Sequence, residues 1–257
     1  MKPLVTPADA VALALLFSRI IALMMAFPFF NTNMIPLNVK ILLVVSFSFF
    51  ILRLTGVEVD MARFSWPLFV MLLLKEFLLG FILGILTNIF IAAFGFAAEI
   101  VSYFMGFTVV NNFDPTFGQV SVLSHFFIML FYLLFFVTGA YQFFISSIVL
   151  SLEYVPLFSL SFHQGIWAYI VELSGYIFVL AFKLSFPFAL ILYVVNLALA
   201  LVNRLIPQIN VFIVGLPMQI FIGLAALGFG AAVIVYMGAD FLVKMADEYL
   251  YVIKHLG

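Results

Sequence analysis

The chain has 257 residues, of which 67% are hydrophobic and 8% charged, with 35 Phe and a formal net charge of −1. An average soluble domain is about 45–50% apolar and about 25% charged, so this surplus excludes an ordinary water-soluble globule and marks a membrane-class protein. The near-zero net charge and scattered Lys and Arg argue against nucleic acid and a polybasic lipid site; the absence of Cys excludes disulfide frameworks, thiolate nucleophiles and thiolate metal sites.

Polar punctuation divides the sequence into about six apolar segments. The first, Ala8–Phe30, follows Lys2, contains Asp9 and is interrupted by Arg19. No A-x-A-like cleavage site follows its apolar core, so it reads as mature sequence rather than a signal peptide. Leu37–Thr55 comes next. Trp66–Met105 is over-long: as one helix it would measure roughly 60 Å, twice the hydrocarbon thickness of about 30 Å, so a bend, a re-entrant turn or a length outside the bilayer is expected. Gly80, Gly84 and Gly95 offer breaks there, although Gly80 and Gly84 also form a small-xxx-small pair suited to close helix packing. Ser121–Leu152 follows, then Trp167–Leu205, in which Pro187 removes a backbone donor and predicts a kink. Val211–Leu242 is the last. Beyond it Asp247 and Glu248, with Asp240, Lys244 and Lys254 nearby, suggest i,i+4 pairs on a solvated terminal helix.

These segments predict an all-α membrane-associated fold of long kinked helices and helical hairpins. Backbone in hydrocarbon must satisfy its own hydrogen bonds, and the dyad alternation of an outer-membrane barrel is missing. Without a Ser/Gly/Pro-rich linker, residues 1–257 read as a single domain. Six simple spans would set Lys2, Arg53, Arg63, Lys244 and Lys254 on one side against Lys40 and Arg204 on the other, favouring a cytoplasmic C-terminus.

Arg19, Lys75, Glu76, Glu99, Glu172 and Lys183 are ionisable residues inside apolar runs. Each costs about 2.5–3.5 kcal/mol at a bilayer centre, which implies pairing, a wet cavity or placement outside the hydrocarbon. A proton relay and a set of interhelical ion pairs or snorkelling side chains are both compatible with that. Lys75 and Glu76 are neighbours pointing about 100° apart on a helix, so each is expected to need another partner, on this chain or a different one. Enzyme constellations are absent: there is no HExxH, paired acidic metal motif or Gly-x-Ser-x-Gly elbow, and Ser124 and His125 diverge as helix neighbours. No cofactor is indicated.

Two polar interruptions remain. Gly106–Gly118 combines the turn formers Asn111, Asn112, Asp114 and Pro115 with apolar Phe107, Val109, Val110, Phe113 and Phe117. It fits either a loop packed in a channel mouth or an interfacial re-entrant turn with aromatic anchors. Arg204–Pro217 contains Pro207, Gln208, Asn210, Gly215 and Pro217, and reads as a shaped corner between two apolar helices.

At these interruptions the sequence resembles the FliR/SctT family of type III export-gate proteins. The resemblance rests on Arg19-Ile20, Pro28, Ile35-Pro36 and Lys40, on Phe113-Asp114-Pro115 and Val122-Leu123-Ser124, and most of all on the run Asn196–Pro217, whose Ile-Val-Gly-Leu-Pro ending looks flagellar. It implies a FliP-like part over about residues 1–195 fused to a FliQ-like hairpin over about 196–257. It also implies a core subunit of a flagellar export gate in the bacterial inner membrane, within the basal body. FliP and FliQ would be its partners in the channel for unfolded flagellar proteins, and FlhB a further one. Gly106, Phe107, Val110, Asn111, Asn112, Phe113, Asp114, Pro115, Phe117 and Gly118 would form a pore plug; Arg204, Pro207, Gln208, Asn210, Gly215 and Pro217 would form a corner at a partner contact. Two positions depart from the family: Gly139 precedes Ala140 where a Gly-His pair is frequent, and Gln219 stands where many relatives carry Lys. A proton-coupled secondary transporter is the alternative, motivated by Glu99, Glu172, Lys183 and Pro187; a purely structural membrane scaffold is a third reading.

Overall fold

The computed structural model describes residues 6–27, 29–30, 35–56, 65–107, 121–157, 165–206 and 211–256. Within them it is helical throughout, with no strand. Helix α1 (Pro7–Ala26) opens on a capping box: the Thr6 hydroxyl accepts from the Asp9 N–H at 3.1 Å, and the Asp9 carboxylate accepts from the Thr6 N–H at 2.9 Å. Helix α2 (Leu37–Thr55) starts behind Pro36 and stops at Gly56, whose φ of 58° is the left-handed C-cap conformation that glycine adopts without strain. Then come α3 (Trp66–Phe104), α4 (Val122–Val137), α5 (Ala140–Tyr154), α6 (Ile166–Leu205), α7 (Val211–Phe229) and α8 (Ala231–Leu256). The segment bounds expected from hydropathy therefore hold to within a few residues, except that helix continues from Leu242 to Leu256.

The breaks lie elsewhere than expected. Helix α3 runs unbroken for 39 residues through Gly80, Gly84 and Gly95, and α6 for 40 residues through Pro187. At 1.5 Å per residue each is about 60 Å long. The chain is interrupted instead after α4, where Gly139 has φ 77°, and at Gly230, where α7 and α8 meet at a 60° bend. Among the described residues, four helices (α1, α2, α3 and α6) are long and apolar enough to cross a membrane singly; α4 with α5, and α7 with α8, qualify as bent pairs.

The chain divides into two compact units. In the first (residues 1–88, 139–171 and 244–257), Leu15, Leu16, Ile20 and Leu23 of α1, Leu79, Ile82, Leu83 and Leu86 of α3 and Phe144, Ile148 and Leu152 of α5 are all buried. Gly80 and Gly84 allow α1 and α3 to approach backbone to backbone, since a Cβ on Gly80 would overlap the Arg19 carbonyl and one on Gly84 would lie 2.9 Å from the Leu23 carbonyl oxygen. Tyr249 is wholly buried; its hydroxyl donates to the Leu83 carbonyl at 2.5 Å and accepts from Thr87. One face of α8 is thus interior, with Val252 and Ile253 beside Tyr249, while Asp247 and Lys254 stay exposed. Glu248 accepts from the Tyr169 hydroxyl, a partner seventy-nine residues away.

The second unit (residues 89–138 and 172–243) has an aromatic core. Phe94 meets Phe131 edge-on at 5.1 Å and Phe241 at 5.9 Å, geometries favoured by the ring quadrupoles. Both units leave large apolar side chains uncovered, among them Leu42 and Phe50 on α2 and Phe178, Phe182 and Phe186 on α6. Such surface belongs against lipid or other protein.

The α1–α3 contact gives the first prediction. Gly80→Ala should lower stability by about 1–3 kcal/mol through the overlap with Arg19, whereas Gly228→Ala, with nothing within 4 Å of the new Cβ, should be neutral or slightly stabilising. Unfolding midpoints of the two variants in detergent test this, and equal midpoints would refute the tight crossing.

Candidate functional site

The first unit gathers three of the six interior ionisable residues into one node. Arg19 and Glu76 are 0% exposed and Lys75 4%. Arg19 Nε donates to Glu76 Oε2 at 2.5 Å, Nη1 to Ser151 Oγ at 2.8 Å and Nη2 to the Val155 carbonyl at 3.0 Å. Lys75 Nζ donates to the Pro156 carbonyl at 2.9 Å and lies 2.9 Å from Glu76 Oε1. Val155 and Pro156 follow the last turn of α5, where unpaired carbonyls and the negative end of the helix dipole favour cations. Lys75 and Glu76 do pair, contrary to expectation from their angular separation. The four-carbon Lys stem wraps around the helix far enough to reach its neighbour, in an ion pair without directed hydrogen-bond geometry.

The second unit holds both ends of the segment that sequence singles out. Gly106, just past α3, has φ 79°. A Cβ there would lie 2.7 Å from Leu216 Cδ2 and 3.1 Å from Gln219 Oε1, both on α7, so only glycine fits. Gln219 Nε2 donates to Asn196 Oδ1 at 2.5 Å, and Asn196 Nδ2 donates to the Phe104 carbonyl at 3.3 Å. This amide ladder ties the C-terminal end of α3 to α6 and α7, and the neutral Gln219 fills the place where the resemblance expects Lys. At the far end, Ser121 caps α4. Its N–H and its hydroxyl both donate to Glu99 Oε1, at 2.9 and 2.8 Å, and its Oγ accepts from the Ser124 N–H at 3.1 Å. Ser124 Oγ then donates to the Gly95 carbonyl at 3.0 Å. Glu99 on α3 thus secures the start of α4, where an anion also suits the positive end of the helix dipole.

Gly106 and Phe107 belong to this arrangement; Val110, Asn111, Asn112, Phe113, Asp114, Pro115, Phe117 and Gly118 lie outside the described residues, as do Pro207, Gln208 and Asn210. Arg204 is exposed at the end of α6. Gly215 and Pro217 fall within α7 rather than in a connecting corner. Glu172 and Lys183 are exposed on α6 and are not drawn into either cluster. Asn196, Gln219 and Ser151 were not singled out as site residues; the available signal was an isolated polar group inside an apolar run.

The comparisons with known proteins decide the affiliation. The family model for bacterial export proteins, family 1, matches residues 10–245. The chain belongs to that family. The flagellar biosynthetic protein FliR of Aquifex aeolicus (strain VF5) is 31% identical over 220 residues, covering 84% of each chain. FliR of Bacillus subtilis (strain 168) is 32% identical over 216 residues, 81% of this chain and 82% of the relative. FliR of Escherichia coli (strain K12) is 27% identical over 208 residues, 80% and 79% respectively. With its spanning-length helices, this member of the bacterial export family is membrane-embedded and serves flagellar export.

The buried node yields the second prediction. Glu76→Gln leaves Arg19 and Lys75 buried without an anion and should cost about 3–5 kcal/mol, whereas Ser151→Ala, which removes one hydrogen bond to a charged group, should cost about 1.5–3 kcal/mol. Denaturation of the purified variants in detergent measures both, and a Glu76→Gln cost no larger than that of Ser151→Ala would contradict the node.

Proposed function

We propose that this chain is a core subunit of the flagellar type III protein export gate, building with FliP and FliQ subunits the channel for unfolded flagellar proteins. Its FliP-like part spans about residues 1–195 and its FliQ-like hairpin about 196–257. It resides in the bacterial inner membrane, in the flagellar basal body, with FlhB as a further partner. Residues 106–118 act as the plug. The gate is passive: plug and surrounding helices exclude water and ions while the channel is unloaded, and an exported chain displaces them. Energy comes from elsewhere, since the sequence has no nucleotide-binding motif.

The observation that carries this reading is the double tether around residues 106–118. A connection rich in Phe, Asn and Pro is held at one end by the Gly106–Gln219–Asn196 contact and at the other by Glu99 on Ser121. Part-buried polar groups engaged at both ends of one connection suit a segment whose ends must stay fixed while its middle yields. The match over residues 10–245 supports it independently, as do the FliR relatives. Engagement of Glu99 as a double acceptor speaks for a tether rather than a free relay carboxylate, and so favours the gate over a proton-coupled transporter.

Deleting Val110–Phe117 leaves both tethers in place, so the variant should assemble with FliP and FliQ and render cells leaky to small ions; Glu99→Ala, with the full segment but one tether gone, should leak less. Ion-flux measurements on cells with normal levels of the assembled gate test this. Unchanged permeability in an assembled deletion variant refutes the plug, and recovery of the chain as a stable lone monomer from co-expression with FliP and FliQ refutes the gate.

A further inference from the structure

Helix α6 presents a face that neither lipid nor water can satisfy. Glu172 and Lys183 are eleven residues apart, three helical turns, so they lie on one side of the helix about 16 Å apart along its axis. Both are exposed, and among the described residues neither has a hydrogen-bond or ion-pair partner. On the same stripe stand Val179, 43% exposed, and Phe186, 49%, with Phe182, 58% exposed, at its edge about 100° round the helix from Lys183. Gly175 lies between the charges, and a Cβ there would meet nothing within 4 Å. The whole stripe falls in a helix apolar enough to cross a membrane.

If this stretch faced acyl chains, a carboxylate and an ammonium would stand unsolvated against hydrocarbon. If it stood beyond the bilayer, Val179, Phe182 and Phe186 would form an uncovered apolar patch in water. Protein on the stripe removes both penalties, provided it brings charges of opposite sign at the same spacing. We propose that this face of α6 docks an apolar helix of a different chain, which sets a cationic side chain against Glu172 and a carboxylate against Lys183, and packs closely over Gly175. A second copy does not fit. Copies inserted in the same sense and related by a twofold axis along the membrane normal would set Glu172 against Glu172 and Lys183 against Lys183, both repulsive. The inference deepens the export-gate reading, on which it depends only for the assembly that supplies the partner.

The test uses the full-length chain, in membranes of cells that carry the whole export apparatus, with a benzophenone amino acid in place of Val179. The expected result is one photo-adduct with another chain, mapped to an apolar helix bearing an acidic and a basic residue about three turns apart. Lys183→Glu should lower adduct yield at least tenfold, Lys183→Arg should preserve it, and reversing the mapped acidic residue to Lys should restore it in the Lys183→Glu background. Gly175→Leu, which finds open space within this chain, should abolish the adduct at unchanged protein level. Adducts with lipid or a second copy overturn the proposal, as does a yield indifferent to Lys183→Glu or to Gly175→Leu. Failure of the gate reading is distinct: FliP and FliQ would then be missing from the purified particle whatever Val179 touches.

Discussion

Glu76 is a single buried anion held between two buried cations, and three helices in the first unit take their positions from it. Through Arg19 it fixes α1 against α3, and through Arg19 and Lys75 together it draws both against the carbonyl end of α5. A buried ion pair adds little net stability, because desolvation offsets most of the attraction. Its effect is on arrangement: apolar surfaces slide past one another at small cost, whereas a guanidinium with directed bonds to Glu76, Ser151 and Val155 accepts one register. The glycine contact at Gly80 belongs to the same construction. Only a residue without a side chain lets α1 come close enough for Arg19 to reach across to α3.

The second unit solves a similar problem with smaller charges. Where α3 ends and α4 begins the chain leaves regular helix, and the orphaned backbone groups there need partners that hydrocarbon does not offer. The Phe104 carbonyl receives the Asn196 amide, and the Ser121 N–H finds the Glu99 carboxylate. Polar residues thus sit at the two points where the backbone changes direction, and the aromatic core around Phe94 and Phe131 fills the space between without them. Ser121 serves twice, as helix cap and as donor to Glu99, so the tether and the start of α4 stand or fall together.

Helix class and segment bounds were legible because hydrophobicity over twenty or more residues leaves a backbone no choice. Breaks were not. Gly80, Gly84 and Gly95 look in sequence like the real interruptions at Gly139 and Gly230, and what separates them is tertiary. The first three face another helix closely, while Gly139 takes a positive φ that ends the helix. Pro187 is accommodated within α6 because a long apolar helix held by its surroundings tolerates one missing donor. Among the charges, burial of Arg19 and Glu76 was foreseeable from their apolar neighbours, but their pairing across fifty-seven residues was not. Lys75 with Glu76 was misjudged because wheel angles describe Cβ directions, whereas the lysine ammonium sits four bonds further out. Glu99 became intelligible only once the fold returned Ser121 to its side, and Asn196 and Gln219 only once they faced each other.

The six interior ionisable residues therefore meet three different fates, and the differences follow from what each helix face adjoins. Arg19 and Lys75 share the one carboxylate of Glu76 and spend their remaining donors on the carbonyl end of α5, Glu99 is met by a serine, and Glu172 and Lys183 have nothing of the kind among the described residues. Helices about 60 Å long exceed a hydrocarbon layer of about 30 Å, so a large share of their apolar surface lies beyond any lipid. A chain that carries such surface to its outside, with Glu172 and Lys183 unpaired among the described residues, suits the multi-subunit gate proposed above better than a solitary membrane protein. Composition that looked at first like an adaptation to lipid is better accounted for as an adaptation to neighbouring subunits.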